Sequence, residues 1–318
     1  MALLWEDGTM ASLENVSYEK IKHRKKRATS DVVFNVIIYT IFTIFAIVTI
    51  YPVLNTLAYS FNDGTDAYKG GIHLFPRIWT YKSYEEILFK RESIRQCAIV
   101  SLARTLIGTV LGLGANALLA FIISRKRFRF KSALSLFWTI TIYAQGGLIT
   151  TFVLYRKMNL TNSFWVYIIP GLVSGLYVIV MRTYMKGIPD SLEEAAELEG
   201  AGYMRIFWSV ISPLCKPVYA AIALFIATNQ WNSWFDNMLY NRMKPQYTTL
   251  QYELMKYFNT VVSQKSDVIT MHQPQPYPFS PRTLRSALAI LTMLPLLILY
   301  PFLQNYFVAG LTVRGIKD

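Results

Sequence analysis

The chain is 318 residues long, 53% hydrophobic and 16% charged, with a net charge of +13. Soluble domains carry about 25% charged residues, so this composition excludes an ordinary water-soluble globule. Much of the surplus Lys and Arg clusters between apolar stretches, which assigns the charge to membrane topology and implies no nucleic-acid partner.

A bilayer-spanning helix needs about 20 consecutive, mostly apolar residues. In chain order, residues 32–61, 96–124, 133–155, 164–185, 218–235 and 284–311 meet that need and are apolar on most faces. They predict an all-α membrane protein with six transmembrane helices. Lys20, Lys22, Arg24, Lys25, Lys26 and Arg27 precede the first span, which is too long for a signal-peptide core and reads as retained. A basic run of this kind marks the cytoplasmic side. Alternation then places the basic loop 125–131, the segment 190–213 and both termini in the cytoplasm. Residues 62–92, 156–162 and 236–282 fall outside, the last as a long external loop between helices five and six. The expected division is a basic cytoplasmic segment over 1–31, a transmembrane domain over 32–311 and a cytoplasmic tail over 312–318.

Several chemistries lack their residues. No Asp or Glu occurs between Ser93 and Pro189, and His23, His73 and His272 lie outside the spans, which disfavours a proton-coupled carrier. No His, Cys or carboxylate cluster has metal-ligand spacing, so no metal site is expected. No G-x-x-x-x-G-K-[ST] loop is present, so the chain has no nucleotide-hydrolysing site and no catalytic residues are assigned. Cys97 and Cys215 belong to opposite membrane faces, too far apart for a disulfide.

Within the spans, Gly108, Gly112 and Asn116 share a helix face at small-xxx-small spacing. Packing is the leading reading, and Asn116 either bonds across helices or lines a path. Gly171 and Gly175 repeat the spacing. Gln145, Gly146 and Gly147 interrupt the third span as a hinge or a pathway kink. Thr228, Trp231, Asn232 and Phe235 fall on one face of the fifth span. Aromatic rings beside amides suit a sugar, whose C–H faces stack while its hydroxyls bond, and they equally suit an interfacial belt.

The segment "EEAAELEGAGYMRIFWSVISP" (193–213) holds the densest acids of the chain. After Pro189, Asp190 and Ser191 stand at capping-box distance from Glu193 and Glu194, predicting a helix over 191–199. Gly200 is placed for the left-handed residue that ends it, and 203–210 forms a second helix before Pro213. From spacing alone this is either a docking helix or an amphipathic connector.

Glu194-Ala195-Ala196 followed by Gly200, Ala201, Phe207 and Pro213 resembles the EAA loop of ATP-binding-cassette importer permeases. Glu199 stands where that pattern carries an acid before the Gly, while Val210 and Ser212 depart from its usual Ile and Leu. "LFPRIWTYKSYEEIL" (74–88), "NQWNSWF" (229–235) and "YPFLQNYFVAGLTVRGIKD" (300–318) resemble segments of sugar-importer permeases, the last similar to the tail of the maltose-type second permease subunit. The resemblance implies that Glu193, Glu194, Ala195, Ala196, Glu199, Gly200, Ala201, Arg205 and Phe207 form a coupling helix seated on a separate ATPase, with Arg205 pairing with that partner or with Glu199. It implies a heterodimer with a second permease, two ATPase subunits and an external solute-binding protein in a bacterial cytoplasmic membrane. This chain would bind no cofactor, ATP and Mg residing on the ATPase. The long 236–282 loop suggests oligosaccharide substrates, including uronic-acid chains such as alginate. In that setting Arg104, without a carboxylate in spans two to four, is expected to attract substrate carboxylates with Trp231 stacking the sugar, unless it is satisfied by carbonyls, the other permease or headgroups. A passive channel or scaffold subunit, or an importer permease for a different solute, is the alternative function.

Overall fold

The computed structural model describes residues 29–144, 146–267 and 280–312, and their regular structure is helical apart from one isolated bridge between Asn62 and Trp79. In chain order the helices are α1 (Thr29–Ser60), α2 (Gly64–Ala67), α3 (Lys82–Glu85), α4 (Glu92–Ser124), α5 (Lys131–Tyr143), α6 (Leu148–Lys157) and α7 (Gly175–Lys186). Then come α8 (Asp190–Leu198), α9 (Tyr203–Ile206), α10 (Ser212–Leu214), α11 (Lys216–Asn232), α12 (Phe235–Tyr240), α13 (Leu250–Asp267) and α14 (Pro281–Thr312). The 1–31 segment, apart from the first residues of α1, and the 313–318 end of the expected tail lie outside the described residues.

The chain divides after Val53 into two units. In the first, Phe34, Ile37, Phe42 and Phe45 are exposed along α1, as a lipid-facing helix requires. Thr40 Oγ1 donates to Val36 O at 2.8 Å and Thr49 Oγ1 to Phe45 O at 2.9 Å, so both hydroxyls enter hydrocarbon already paired.

Helices α1, α4 and α14 are each long and apolar enough to cross a bilayer. Two bent pairs, α5 with α6 at 117° and Tyr203–Leu214 with α11 at 84°, are each a broken span or a re-entrant loop, so length and apolarity allow up to five crossings. The expected count of six is therefore not found among the described residues. The difference lies at 164–185. Phe164–Tyr167 is a 3-10 turn, and regular helix resumes only at Gly175, leaving a 12-residue α7 that is too short to span. Pro170 lacks the donor a continuous helix needs, and Asn116 of α4 supplies substitute bonds to the open backbone there. The fifth span ends early as well. Ser233 caps α11, so Phe235 opens α12 instead of closing the same helix.

The second unit is built on α4, which packs against α7 and α11. Close approach has a visible cause. A Cβ on Gly108 would meet the Gln230 side chain at 2.9 Å, and one on Gly112 would touch Ile226. Gly175 lies against the Trp138 carbonyl of α5, whereas a Cβ on Gly171 would meet nothing within 4 Å. The expectation that Gly171 and Gly175 act alike fails because only Gly175 lies on a helix. Ala117, Phe121, Met181, Met185, Ile206, Phe207, Ile211, Cys215 and Ile222 form one buried cluster; Ile94, Cys97, Trp231, Leu254, Leu284 and Leu288 form another. Both cysteines are buried free thiols in separate clusters. In lipid such contacts stabilise through packing more than through exclusion of water.

Candidate functional site

A cavity of about 470 Å³ opens where α4, α7, α11 and α12 converge with the broken segment 166–174. Its wall includes Arg104, Tyr155, Tyr167, Gly171, Ser174, Tyr177, Asn229, Gln230, Ser233, Asp236 and Tyr240. Four tyrosine rings with two amides and hydroxyls give the stacking faces and hydrogen-bonding groups that a sugar requires.

Arg104 is central to this wall and only 2% exposed. Its Nε donates to Gln230 Oε1 at 3.0 Å, and Nη1 donates to Ser233 O and to Asp236 Oδ1, each at 3.3 Å. Nη2 donates to Asp236 Oδ2 at 2.5 Å, and the guanidinium lies 4.3 Å from the centre of the Tyr167 ring. A fork-to-fork pair of this kind offsets the cost of burying the charge. Arg104 is therefore not a free cation: a backbone carbonyl, one of the alternatives the sequence left open, and a carboxylate together satisfy it. The carboxylate comes from just beyond α11, 132 residues away in sequence and outside spans two to four. Tyr167 is itself fixed, donating its hydroxyl to Tyr247 O at 2.7 Å and accepting from Asn237 Nδ2 at 2.5 Å.

The other pathway candidates lie elsewhere. Asn116 is buried; its Nδ2 donates to Gly112 O at 2.6 Å and Leu172 O at 3.0 Å, and its Oδ1 accepts from Ser174 N at 3.0 Å. It clamps the segment that frames the cavity. Trp231 is buried against α14, its Nε1 donating to Thr292 O at 2.9 Å, and does not line the cavity. Thr228, Asn232 and Phe235 are likewise absent from the described lining. The wall is Ile226, Asn229, Gln230 and Ser233, two residues back from the expected set, which is a rotation of about 200° around the helix. Periodicity found a helix face, and packing chose the opposite one. Gln145 lies outside the described residues.

The 190–213 loop forms a second site. Helix α8 begins at Asp190 after Pro189, with no side-chain cap, so the expected capping box does not form. Its acids face the basic loop instead. Arg125 pairs with Glu193, Lys126 with Asp190, and Arg127 with Glu197 at 2.8 Å. The hydrogen bond and charge of Asp190 hold Lys126 above the usual lysine range. Gly200 adopts φ +80°, its N–H donating to Glu197 O at 2.9 Å while Ala201 N donates to Ala196 O at 3.0 Å. That bonding pattern closes a helix on a left-handed residue. In place of the continuous second helix expected over 203–210, α9 passes into a π-turn at Phe207–Ile211. Phe207 is buried with its ring centre 5.1 Å from that of Phe121, and Ala196 and Ala201 pack on the same cluster. Glu194, Ala195, Glu199 and Arg205 are exposed, and among the described residues Arg205 makes no ion pair with Glu199.

Residues 97–240, which contain both sites, match the family model of binding-protein-dependent transport system inner membrane components. The galactooligosaccharides transport system permease protein GanQ of Bacillus subtilis (strain 168) is 30% identical over 286 residues, 88% of this chain and 94% of the relative. The polygalacturonan/rhamnogalacturonan transport system permease protein YtcP of the same organism is 27% identical over 284 residues, covering 89% and 98%. Among solved structures, a chain of a bacterial ABC transporter involved in the import of the acidic polysaccharide alginate superposes with a TM-score of 0.77 at 25% identity, over 88% of this chain and 98% of its own. With its helical architecture and these relatives along nearly its whole length, the chain belongs to the binding-protein-dependent transport system inner membrane components and is a permease subunit.

Proposed function

We propose that the chain is the translocation subunit of an ATP-driven importer for oligosaccharides, the class to which the named substrates of its relatives belong. It pairs with a second permease and two ATPase subunits that carry the ATP and Mg, and it receives sugar from an external solute-binding protein. The 190–213 loop lies on the cytoplasmic side and seats on an ATPase through its exposed residues, Glu194, Leu198, Glu199 and Arg205 among them.

One observation carries this reading. A single buried cluster joins the loop residues Ile206, Phe207 and Ile211 to Met181 of α7 and to Ile222 and Ile226 of α11. Ile226 and, on α7, Tyr177 also line the cavity. A push on the loop is thereby delivered to two cavity-forming helices through close-packed side chains, which transmit displacement instead of absorbing it. This is the linkage that alternating access requires.

Co-expression with candidate partner subunits, purification, and a screen of oligosaccharides for stimulated ATP hydrolysis test the proposal. Retention of an ATPase by the intact loop, with hydrolysis raised by at least one oligosaccharide, is the expected outcome. A chain that retains no ATPase is a channel or scaffold, and the proposal falls.

A further inference from the structure

The cavity wall sets a cation and an anion side by side, and the two are unequally exposed. Arg104 is 2% exposed, while the Asp236 side chain is 22% exposed. The guanidinium is engaged by Gln230, Ser233 and Asp236 and covered by the Tyr167 ring. At this end the cavity therefore presents a neutral ion pair seen from its carboxylate side. Among the described lining residues there is no second Lys or Arg.

We propose that Asp236 is a specificity-determining residue: by neutralising Arg104, it makes the sugar subsite of this chain select uncharged, hydroxyl-rich residues over uronates. The inference rests on the oligosaccharide reading and deepens it. A uronate carboxylate entering the cavity would give up its water without gaining an uncompensated cation, and it would meet the carboxylate of Asp236. A neutral pyranose meets no such opposition, since its hydroxyls exchange water for Asn229 and Ser174 while its C–H faces stack on tyrosine rings. The carboxylates of an acidic chain are then held outside this subsite.

The test uses the purified complex of both permeases and the ATPases, without the solute-binding protein, whose own selectivity would intrude. Binding of trigalacturonate and of the galactotriose differing from it only at C6 is measured by calorimetry. Wild type is expected to prefer galactotriose. Asp236→Asn exposes an uncompensated Arg104 and shifts the ratio toward trigalacturonate by about tenfold or more. Arg104→Gln leaves the carboxylate alone and shifts it the other way, while the double variant returns close to wild type. Should Asp236→Asn fail to assemble with its arginine stranded, the Arg104→Gln and double variants decide by the same criterion. Wild-type preference for trigalacturonate, a ratio unmoved by Arg104→Gln, or shifts in one direction for both single variants overturns the proposal. A wild-type complex that binds neither sugar overturns the oligosaccharide reading, and this inference with it.

Discussion

Gly175 opens α7 directly against the carbonyl of Trp138 in α5, so close that an added Cβ would lie 2.5 Å from that oxygen. Alanine is intrinsically the better helix former by up to about 1 kcal/mol. Here the obstacle is backbone, which cannot swing away as a flexible side chain could, and overpacking costs about 1–3 kcal/mol. Gly175→Ala is expected to lower the thermal midpoint of the detergent-solubilised protein. Gly171→Ala, whose Cβ meets nothing within 4 Å, should leave it unchanged. Equal midpoints for the two variants would show that α5 and α7 separate without cost.

Asn116 makes three hydrogen bonds to backbone, two as donor and one as acceptor. Asn116→Ala strands the Ser174 N–H and the Leu172 carbonyl, a loss of about 1–3 kcal/mol. Asn116→Asp should be worse, because a carboxylate would face the carbonyls of Gly112 and Leu172. Stability of the two variants in one detergent checks the order, and an aspartate variant as stable as wild type would contradict the clamp.

The Gly200 conformation, φ +80°, is strongly disfavoured for a β-branched side chain. Gly200→Val should therefore turn the exposed end of α8 and lower sugar uptake severalfold or more at a given rate of ATP hydrolysis. Membrane insertion should persist, since the turn is exposed. Gly200→Asn, which tolerates the left-handed region, should retain most uptake. Wild-type uptake by the valine variant would detach this turn from coupling.

Arg125 and Glu193 are 11% and 16% exposed, in contrast to Arg127 at 69%. Glu193→Lys should impair assembly or transport, and the exchanged pair Arg125→Glu with Glu193→Lys should recover part of the loss. The coupling energy of a double-mutant cycle is expected above about 1 kcal/mol for this pair and within about 0.2–1 kcal/mol for Arg127 with Glu197. Similar couplings for both pairs would mean that burial adds nothing here.

The membrane character, the left-handed turn at Gly200 and the motifs of the 190–213 loop were legible in the sequence because each follows from local chemistry. Apolar length sets a span, and a residue without a Cβ sets a turn. Tertiary structure decided the rest. Pro170 and Asn116 together replaced the fourth expected span with a broken segment and a 12-residue helix. The acids of α8 bypassed a capping box for Arg125, Lys126 and Arg127, because a charged partner across the chain offered more than the helix end. Periodicity gave the fifth span a face but not its phase, and the packing of Gly108 on Gln230 and of Trp231 on α14 turned the amides Asn229 and Gln230 toward the cavity. Arg104 showed no partner in its neighbouring spans, yet folding delivered Asp236 to it from 132 residues away. Separation along the chain does not prevent two groups from meeting in space, and in a low-dielectric interior it is the meeting that fixes whether a charge is free to act.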